Sequence, residues 1–339
     1  MTPVKLQAYQ EKEKSKAGIP GRVPKGEVSL GKRASLESPP ERNGILMKKF
    51  VGIVCAAAMA SVLFAGCGNT EVGGNSSAAG TASGGDASTA EKLSGDLKFA
   101  GSSSMADIMA ALSEEFRTQY PDVTVTVDQQ GSGSAITGLN DGTCQIGNLS
   151  RNVKDEENAD GKYEVITMAI DGIAVAVHPN NGVSDLTLEQ IAGIFKGEIT
   201  NWKDVGGADQ AIYVVGREEG SGTRDGFEEI IGAKGECQYG VLLKETGDVV
   251  SKVASEEAAI GYISYASVND KVKALKVGGV AAEEATIADG SYKLQRPFVH
   301  AYRKGTDDKL VLAYLEFLKT DKAQSLIKAD KLIPVEFWK

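Results

Sequence analysis

Histidine is nearly absent from this chain of 339 residues, which has only His178 and His300, and neither is accompanied by a second histidine or a carboxylate pattern suited to a metal. His178 precedes Pro179 and is expected in a turn. The four cysteines, Cys55, Cys67, Cys144 and Cys237, include no Cys-x-x-Cys pair. No zinc site, no other metal and no cofactor is therefore expected. Basic charge is in deficit too: 37 Lys and Arg stand against 46 Asp and Glu, a formal net charge of -9. Residues 1–66 hold 11 basic and 5 acidic residues, so the remainder holds 26 and 41, a balance of -15. An acidic body argues against nucleic acid as a partner. Any anion it binds must be held by local N–H donors and one or two buried arginines, because the overall field is repulsive. What is plentiful is apolar side chain, 42% of the sequence, and glycine, 40 residues, ample for a large core or two lobes.

One long apolar run stands near the start. Residues 1–46 are polar, with no sustained apolar period, and are expected to be disordered. Met47-Lys48-Lys49 then leads into Phe50 through Ala65, a basic segment followed by an apolar one with a small-residue exit, which reads as a signal peptide over 47–66. The run is short for a spanning helix and no basic stop-transfer residues follow it. Ala65-Gly66-Cys67 resembles a bacterial lipobox with Phe64 where leucine is usual, which implies lipid attachment, as palmitate, at Cys67 and an extracytoplasmic protein anchored to the cell membrane. Such a signal begins at the initiator methionine, so residues 1–46 are expected to be an upstream over-translation. The Gly/Ser/Ala/Thr composition of residues 67–93 reads as a flexible tether.

The folded body, from about Ser94, repeats one device. Asp96 to Ala100 reads as a strand and Gly101-Ser102-Ser103-Ser104 as a turn, before Met105, Ile108, Met109, Leu112 and Phe116 at helical spacing. Val123 to Val127 alternates like a strand and runs into Gly131-Ser132-Gly133-Ser134, which opens a second helix. The third instance is the sharpest: Ala211 to Val215, then Gly216-Arg217-Glu218-Glu219-Gly220-Ser221-Gly222-Thr223, then a helical run through Ile230 and Ile231. Gly220 and Gly222 let backbone N–H groups approach a ligand, and the first helical N–H groups lack intrahelical partners and carry the positive end of the dipole. Ser221 and Thr223 add hydroxyls, and Arg217 adds a planar cationic fork suited to a tetrahedral oxyanion. No Gly-Lys-Ser/Thr follows at the spacing of a nucleotide phosphate loop.

Between these devices, Val165 to Val177 is an almost continuous apolar run, expected as a strand buried on both faces of a parallel sheet and interrupted by Asp171, a carboxylate that needs a partner. Leu186 to Phe195 reads as helix, Asn201-Trp202 as a turn, Val249 to Val253 as helix and Ala259 to Tyr265 as strand. A returning strand is expected at Arg296 to Tyr302 and an amphipathic helix at Leu310 to Leu318. Alternating strands and helices indicate an α/β fold with a largely parallel sheet.

With these residues laid out, the body over roughly 95–339 resembles the solute-binding proteins of bacterial phosphate ABC transporters. The most specific matches are Gly220-Ser221-Gly222-Thr223-Arg224 preceded by Arg217, and Leu188 through Trp202 with Gly206-Gly207. Ile260-Gly261-Tyr262 and Leu294-Gln295-Arg296-Pro297 add support. The resemblance implies a two-lobed α/β fold of the type II periplasmic-binding-protein kind, with two crossing hinge strands and a ligand cleft between the lobes. Lobe one would be 94–170 plus 297–339 and lobe two 171–296, with the Asp171 strand and the Arg296-Pro297 segment as the crossings. It further implies a monomeric receptor that is not an enzyme, binds inorganic phosphate and delivers it to the permease subunits of an ABC transporter.

Carried over by position, phosphate would be held by Ser103, Ser104 and Ser132 from one lobe and by Arg217, Ser221, Gly222 and Thr223 from the other. Many relatives place an aspartate after the Ile146-Gly147 strand to accept the proton of monohydrogen phosphate; here the chain reads Ser150, then Arg151. A hydroxyl can accept that hydrogen bond without the charge that rejects a fully deprotonated anion. Asp171 is the other candidate acceptor, or else a hinge carboxylate paired with an arginine. Arg151 is either a second charged ligand or an outward salt-bridging residue.

Glu219 is expected to orient Arg217, Trp202 and Trp338 to anchor packing, and Cys144 and Cys237 are a possible bridge. Competing readings are a receptor for another tetrahedral oxyanion such as sulfate or molybdate, a phosphate sensor without transport, and a hydrolase using Ser221. Against the hydrolase, Gly220-Ser221-Gly222 is not the G-x-S-x-G elbow, and no histidine is placed as its base.

Overall fold

The long apolar run interrupted by Asp171 becomes the strand on which both halves of the molecule are built, in a computed structural model that describes residues 92–335. The expectations for residues 1–46, the signal segment, Cys67, nearly all of the tether and Trp338 lie outside the described residues.

The first half runs β1 (Gly95–Gly101), a 3-10 turn (Ser103–Met105), α1 (Ala106–Gln119), β2 (Val123–Asp128), α2 (Ser132–Asp141), β3 (Ile146–Leu149) and then β4 (Tyr163–Val177), which leads out of it. The second half contains β5 (Asp185–Leu186), α3 (Leu188–Phe195), β6 (Tyr213–Arg217), α4 (Gly222–Ile230), β7 (Val241–Leu243), α5 (Thr246–Ser255), β8 (Ala259–Ser264), β9 (Lys273–Ala274), β10 (Lys276–Val277) and α6 (Glu284–Ala288). The chain returns through β11 (Gln295–Arg303) and closes the first half with α7 (Lys309–Leu318), α8 (Asp321–Ala329) and β12 (Ile333–Pro334).

Local chemistry accounts for the element starts. Apolar residues of α1 at positions 108, 109, 112 and 116 lie along one stripe and are fully buried. The Thr187 hydroxyl accepts from Gln190 N at 3.2 Å while the Gln190 side chain accepts from Thr187 N at 2.9 Å, a reciprocal cap on α3. Asp308 caps α7 by accepting from Leu310 N at 2.9 Å.

The main sheet runs β2-β1-β3-β11-β4-β8-β6-β7, with β9 and β12 added on β4. Each half is parallel at its outer strands: β1 with β2 and β3, and β6 with β7 and β8. The centre is antiparallel. β4 pairs with β11 through its first ten residues and with β8 through Ile173–Val177. The parallel pairing expected for Val165–Val177 is thus corrected. An apolar run reports burial on both faces, whichever way the neighbours point, and here burial becomes continuous only from Asp171 onward.

The fold is two-lobed. Buried members of two hydrophobic clusters lie within 97–169 and 298–332. Those of the other two lie within 173–294. β4 and β11 are the strands that cross, paired at Asp171 with Arg296 and at Ile170 with Pro297. Trp202 anchors the second lobe, buried and donating from Nε1 to Ala258 O at 3.0 Å. Among the described residues, no helix is long and apolar enough to cross a membrane. Cys144 and Cys237 are free thiols, not a bridge.

Candidate oxyanion site

Four helix starts converge where the lobes meet. The turn at Ser103–Met105 leading into α1, and Ser132 at the head of α2, come from lobe one; Gly222-Thr223 of α4 and Thr246 of α5 come from lobe two. Each first turn carries N–H groups that have no intrahelical acceptor, so the dipoles add at one place. Ser102, Ser103, Ser104, Ser132, Ser150, Ser221, Thr223 and Thr246 are all buried there.

The hydroxyls interlock across the cleft. Ser104 Oγ lies 2.7 Å from Thr223 Oγ1 and 2.9 Å from Thr246 Oγ1. Ser103 Oγ accepts from Arg217 Nη2 at 3.0 Å and from Thr246 N at 3.3 Å. A neighbouring set joins Ser102 Oγ to Ser150 Oγ at 2.8 Å, and Ser132 Oγ accepts from Ser150 N at 3.0 Å. Gly222 abuts this set so closely that a Cβ there would come 2.2 Å from Ser132 Oγ and 2.7 Å from Ser150 Oγ. Only glycine allows α4 to start at that distance. The backbones touch as well, with Gly133 N donating to Gly220 O at 2.9 Å. Gly131, at φ 118°, is held against the same carbonyl.

Arg217 ends β6 with 2% of its surface exposed. Its Nε donates to Leu243 O at 3.2 Å and Nη2 to Lys244 O at 2.6 Å, which fixes the guanidinium plane. The opposite edge faces the hydroxyls, Nη1 donating to Thr246 Oγ1 at 3.0 Å and Nη2 to Ser103 Oγ. Among the described residues no carboxylate lies within ion-pair distance of it, and burial pulls its pKa down to about 10. The expected orienting role of Glu219 is not found. That residue is exposed, and the two carbonyls after β7 set the plane instead.

Behind Arg217, Tyr262 Oη accepts from its backbone N at 3.1 Å and lies 3.2 Å from Tyr239 Oη, which donates to Glu228 at 2.8 Å. Arg224 closes this buried network, with Nε on Glu228 at 2.7 Å and Nη1 on Arg217 O at 3.1 Å.

Asp171 has both oxygens engaged. Oδ2 accepts from Arg296 Nε at 3.2 Å and Nη2 at 3.0 Å, and Oδ1 accepts from Ser264 Oγ at 2.9 Å. Burial raises the Asp171 pKa and lowers that of Arg296, and in each case the partner's charge opposes the shift. Arg296 Nη1 donates to Ser150 O at 3.2 Å, so the hinge pair braces the site from behind. Arg151 points elsewhere, holding Glu157 in a bidentate pair at 2.7 and 2.8 Å and Asp225 at 2.9 Å.

The sequence-derived set Ser103, Ser104, Ser132, Ser150, Arg217, Ser221, Gly222 and Thr223 is therefore gathered at one junction, with Asp171 one arginine removed. Ser221 acts as the cap of α4, its Oγ accepting from Arg224 N at 3.3 Å. Thr246 was not anticipated. Its signal was a fourth small-residue helix opening, Thr246-Gly247 ahead of Val249 and Val250.

Three comparisons bear on this geometry. A family model described as a PBP superfamily domain matches residues 81–322. The phosphate-binding protein PstS of Bacillus subtilis is 36% identical over 248 residues, 72% of this chain and 82% of the relative. That of Staphylococcus haemolyticus is 33% identical over 300 residues, 82% and 90% of the two chains. A crystal structure from Clostridium perfringens, described as a candidate phosphate ABC transporter substrate-binding protein with bound phosphate, superposes with a TM-score of 0.69 at 39% identity, covering 71% of this chain and all of that one. An ABC-type phosphate transport receptor from Vibrio cholerae gives 0.61 at 36%, covering 70% and 100%.

Proposed function

The chain belongs to the PBP superfamily and, within it, to the PstS-type phosphate-binding proteins, and from that premise we propose that it captures inorganic phosphate between its lobes and passes it to an ABC permease for import. The observation that supports this reading is Arg217: a buried guanidinium faces a cluster of hydroxyls and four helix starts with, among the described residues, no carboxylate within ion-pair distance. A buried cation without a counter-ion is costly, and a bound dianion supplies what is missing.

In this reading the anion is held by Ser103, Ser104, Ser132, Arg217, Ser221, Gly222 and Thr223, with Thr246 added to the set. Ser150 takes the hydrogen bond from a protonated phosphate oxygen, because its hydroxyl lies within the serine cluster whereas Asp171 is turned to Arg296 and Ser264 behind it. Closing the lobes strips water from the anion and replaces it with fixed donors. We place lobe one at 94–170 plus 297–339, lobe two at 171–296, and the hinge at Asp171 and Arg296. The receptor works as a monomer outside the cytoplasm, anchored to the membrane by lipid at Cys67 and spaced from it by residues 67–93. A receptor reading is favoured over a hydrolase using Ser221, since His178 Nδ1 accepts from Asn180 N and His300 Nδ1 pairs with Asn148, which engages both imidazoles away from Ser221.

Titration calorimetry of the folded body tests this. Saturable 1:1 binding of phosphate is expected, tighter than that of sulfate or molybdate, with the margin reduced by a hydroxyl standing where a carboxylate would repel a fully deprotonated anion. Sulfate or molybdate binding in the absence of phosphate binding would reassign the ligand, and no binding of any oxyanion would overturn the reading.

A further inference from the structure

Beside the hydroxyl cluster, four charged side chains from both lobes meet in a compact group. Arg151 and Lys154 follow β3 in lobe one and share that segment with Glu157 and with Val153, which packs against lobe-one core. Asp225 belongs to α4 of lobe two, two residues before Phe227 in the lobe-two core. Asp225 Oδ2 sits 2.9 Å from Arg151 Nε and 3.0 Å from Lys154 Nζ. Glu157 holds the other edge of Arg151 and accepts from Lys154 N at 2.9 Å, which fixes the guanidinium beside Asp225, and the Nε–Oδ2 contact is an ion pair without hydrogen-bond geometry.

The charges balance only across the cleft. Arg151, Lys154 and Glu157 leave one positive charge on lobe one, and Asp225 is the negative charge that cancels it from lobe two. Each end is joined to an anion-contacting residue: Arg151 follows Ser150, and Asp225 lies two positions after Thr223. The Arg151 side chain is largely buried and that of Asp225 about a quarter exposed, so the attraction is screened less than that of a surface pair.

Building on the phosphate-receptor reading, we propose that Asp225, gripped by Arg151 and Lys154, is an electrostatic latch that holds the two lobes closed and thereby sets how long the anion stays bound. Asp225 is a positioning residue; it touches the partner lobe, not the ligand. The latch stabilises the closed state alone, so it slows dissociation and leaves the capture rate little changed. It is also breakable by salt, whereas the enclosed Arg217 contact is not.

Stopped-flow and calorimetric measurements with inorganic phosphate test it in wild type, Asp225→Asn, Lys154→Met, the double variant and Asp225→Glu. Asp225→Asn is expected to raise the dissociation rate about tenfold, with the association rate within about twofold, a change of about 1.4 kcal/mol in affinity. Lys154→Met is expected to give about threefold, the double variant no more than Asp225→Asn alone, and Asp225→Glu a partial rescue. Raising salt from about 50 to 500 mM should speed dissociation from wild type and leave Asp225→Asn unchanged. Dissociation rates within twofold of wild type with the same salt slope, or multiplying single effects, would overturn the latch. Small-angle scattering of the ligand-free proteins separates the two proposals. A chain that fails to bind phosphate sinks the receptor reading, yet salt-dependent expansion of wild type that is lost in Asp225→Asn would still support the latch; identical scattering would not.

Discussion

Arg217 and Arg296 are both buried, at 2% and 3% exposure, and both stand where the lobes meet, yet they are treated oppositely. Arg296 lies on the crossing strand β11 directly opposite Asp171 on β4 and is neutralised by it at 3.0 Å. Arg217 lies at the end of β6 and is given backbone carbonyls and hydroxyls but, among the described residues, no carboxylate within ion-pair distance. On the proposed reading, the difference separates structure from function. A guanidinium cannot shed its proton to escape burial, so a hinge must neutralise its arginine internally, while a receptor site leaves the charge for the ligand to meet.

Breaking the neutralised pair should have the larger effect. Asp171→Leu leaves Arg296 buried and uncompensated and removes the acceptor of Ser264; the expected loss is about 3–5 kcal/mol of stability, read from the urea midpoint of the ligand-free protein. Adding Arg296→Met should restore most of it, since replacing both partners by apolar groups is far less costly than removing one. A double variant as unstable as the single would show that the pair matters for something other than charge compensation.

Removing the charge that the proposed reading leaves for the anion should invert that pattern. Arg217→Met is expected to weaken phosphate binding about a hundredfold to a thousandfold in calorimetry, roughly 3–4 kcal/mol, from losing charge-assisted hydrogen bonds. Ligand-free stability should change by less than about 1.5 kcal/mol, because relief of a buried cation offsets the stranded carbonyls of Leu243 and Lys244. A stability loss as large as that of Asp171→Leu, with affinity intact, would make Arg217 a structural residue and the comparison would fail.

Much of this contrast was legible in the chain. Arg217 announced itself through the glycine turn that follows it, and Asp171 through its isolation in an apolar run, because both signals are local. The pairing of Asp171 with Arg296 spans 125 positions and depends on two strands lying antiparallel, which hydrophobic periodicity does not encode. The same limit hid the antiparallel centre of the sheet. Thr246 escaped because its turn has one glycine and no neighbouring serine, so its membership in the site follows from where α5 points. Arg151 was readable as a charge at a strand end, but its direction is set by Glu157 six residues on and by Asp225 from the other lobe.

A third buried base sharpens the rule, with the smallest effect. His300 lies on β11 as Arg296 does and is fully buried, but an imidazole can lose its proton, and burial pushes its pKa down to about 3. Its Nδ1 lies 2.8 Å from Asn148 Oδ1, an oxygen that only accepts, so Nδ1 carries the single proton. In the unfolded chain the same group titrates near pH 6.5, so between about 6.5 and 3 the unfolded state binds the extra proton and stability falls as pH is lowered. Above 6.5 the group is neutral in both states and contributes no slope. His300→Gln, which keeps a donor for Asn148, should reduce the acid-side slope of stability by up to about 1.4 kcal/mol per pH unit in that window and leave phosphate affinity at pH 8 unchanged. An unchanged slope would mean that the imidazole charges inside the fold, and that this lobe tolerates an unpaired buried cation in the way only the Arg217 site is argued to.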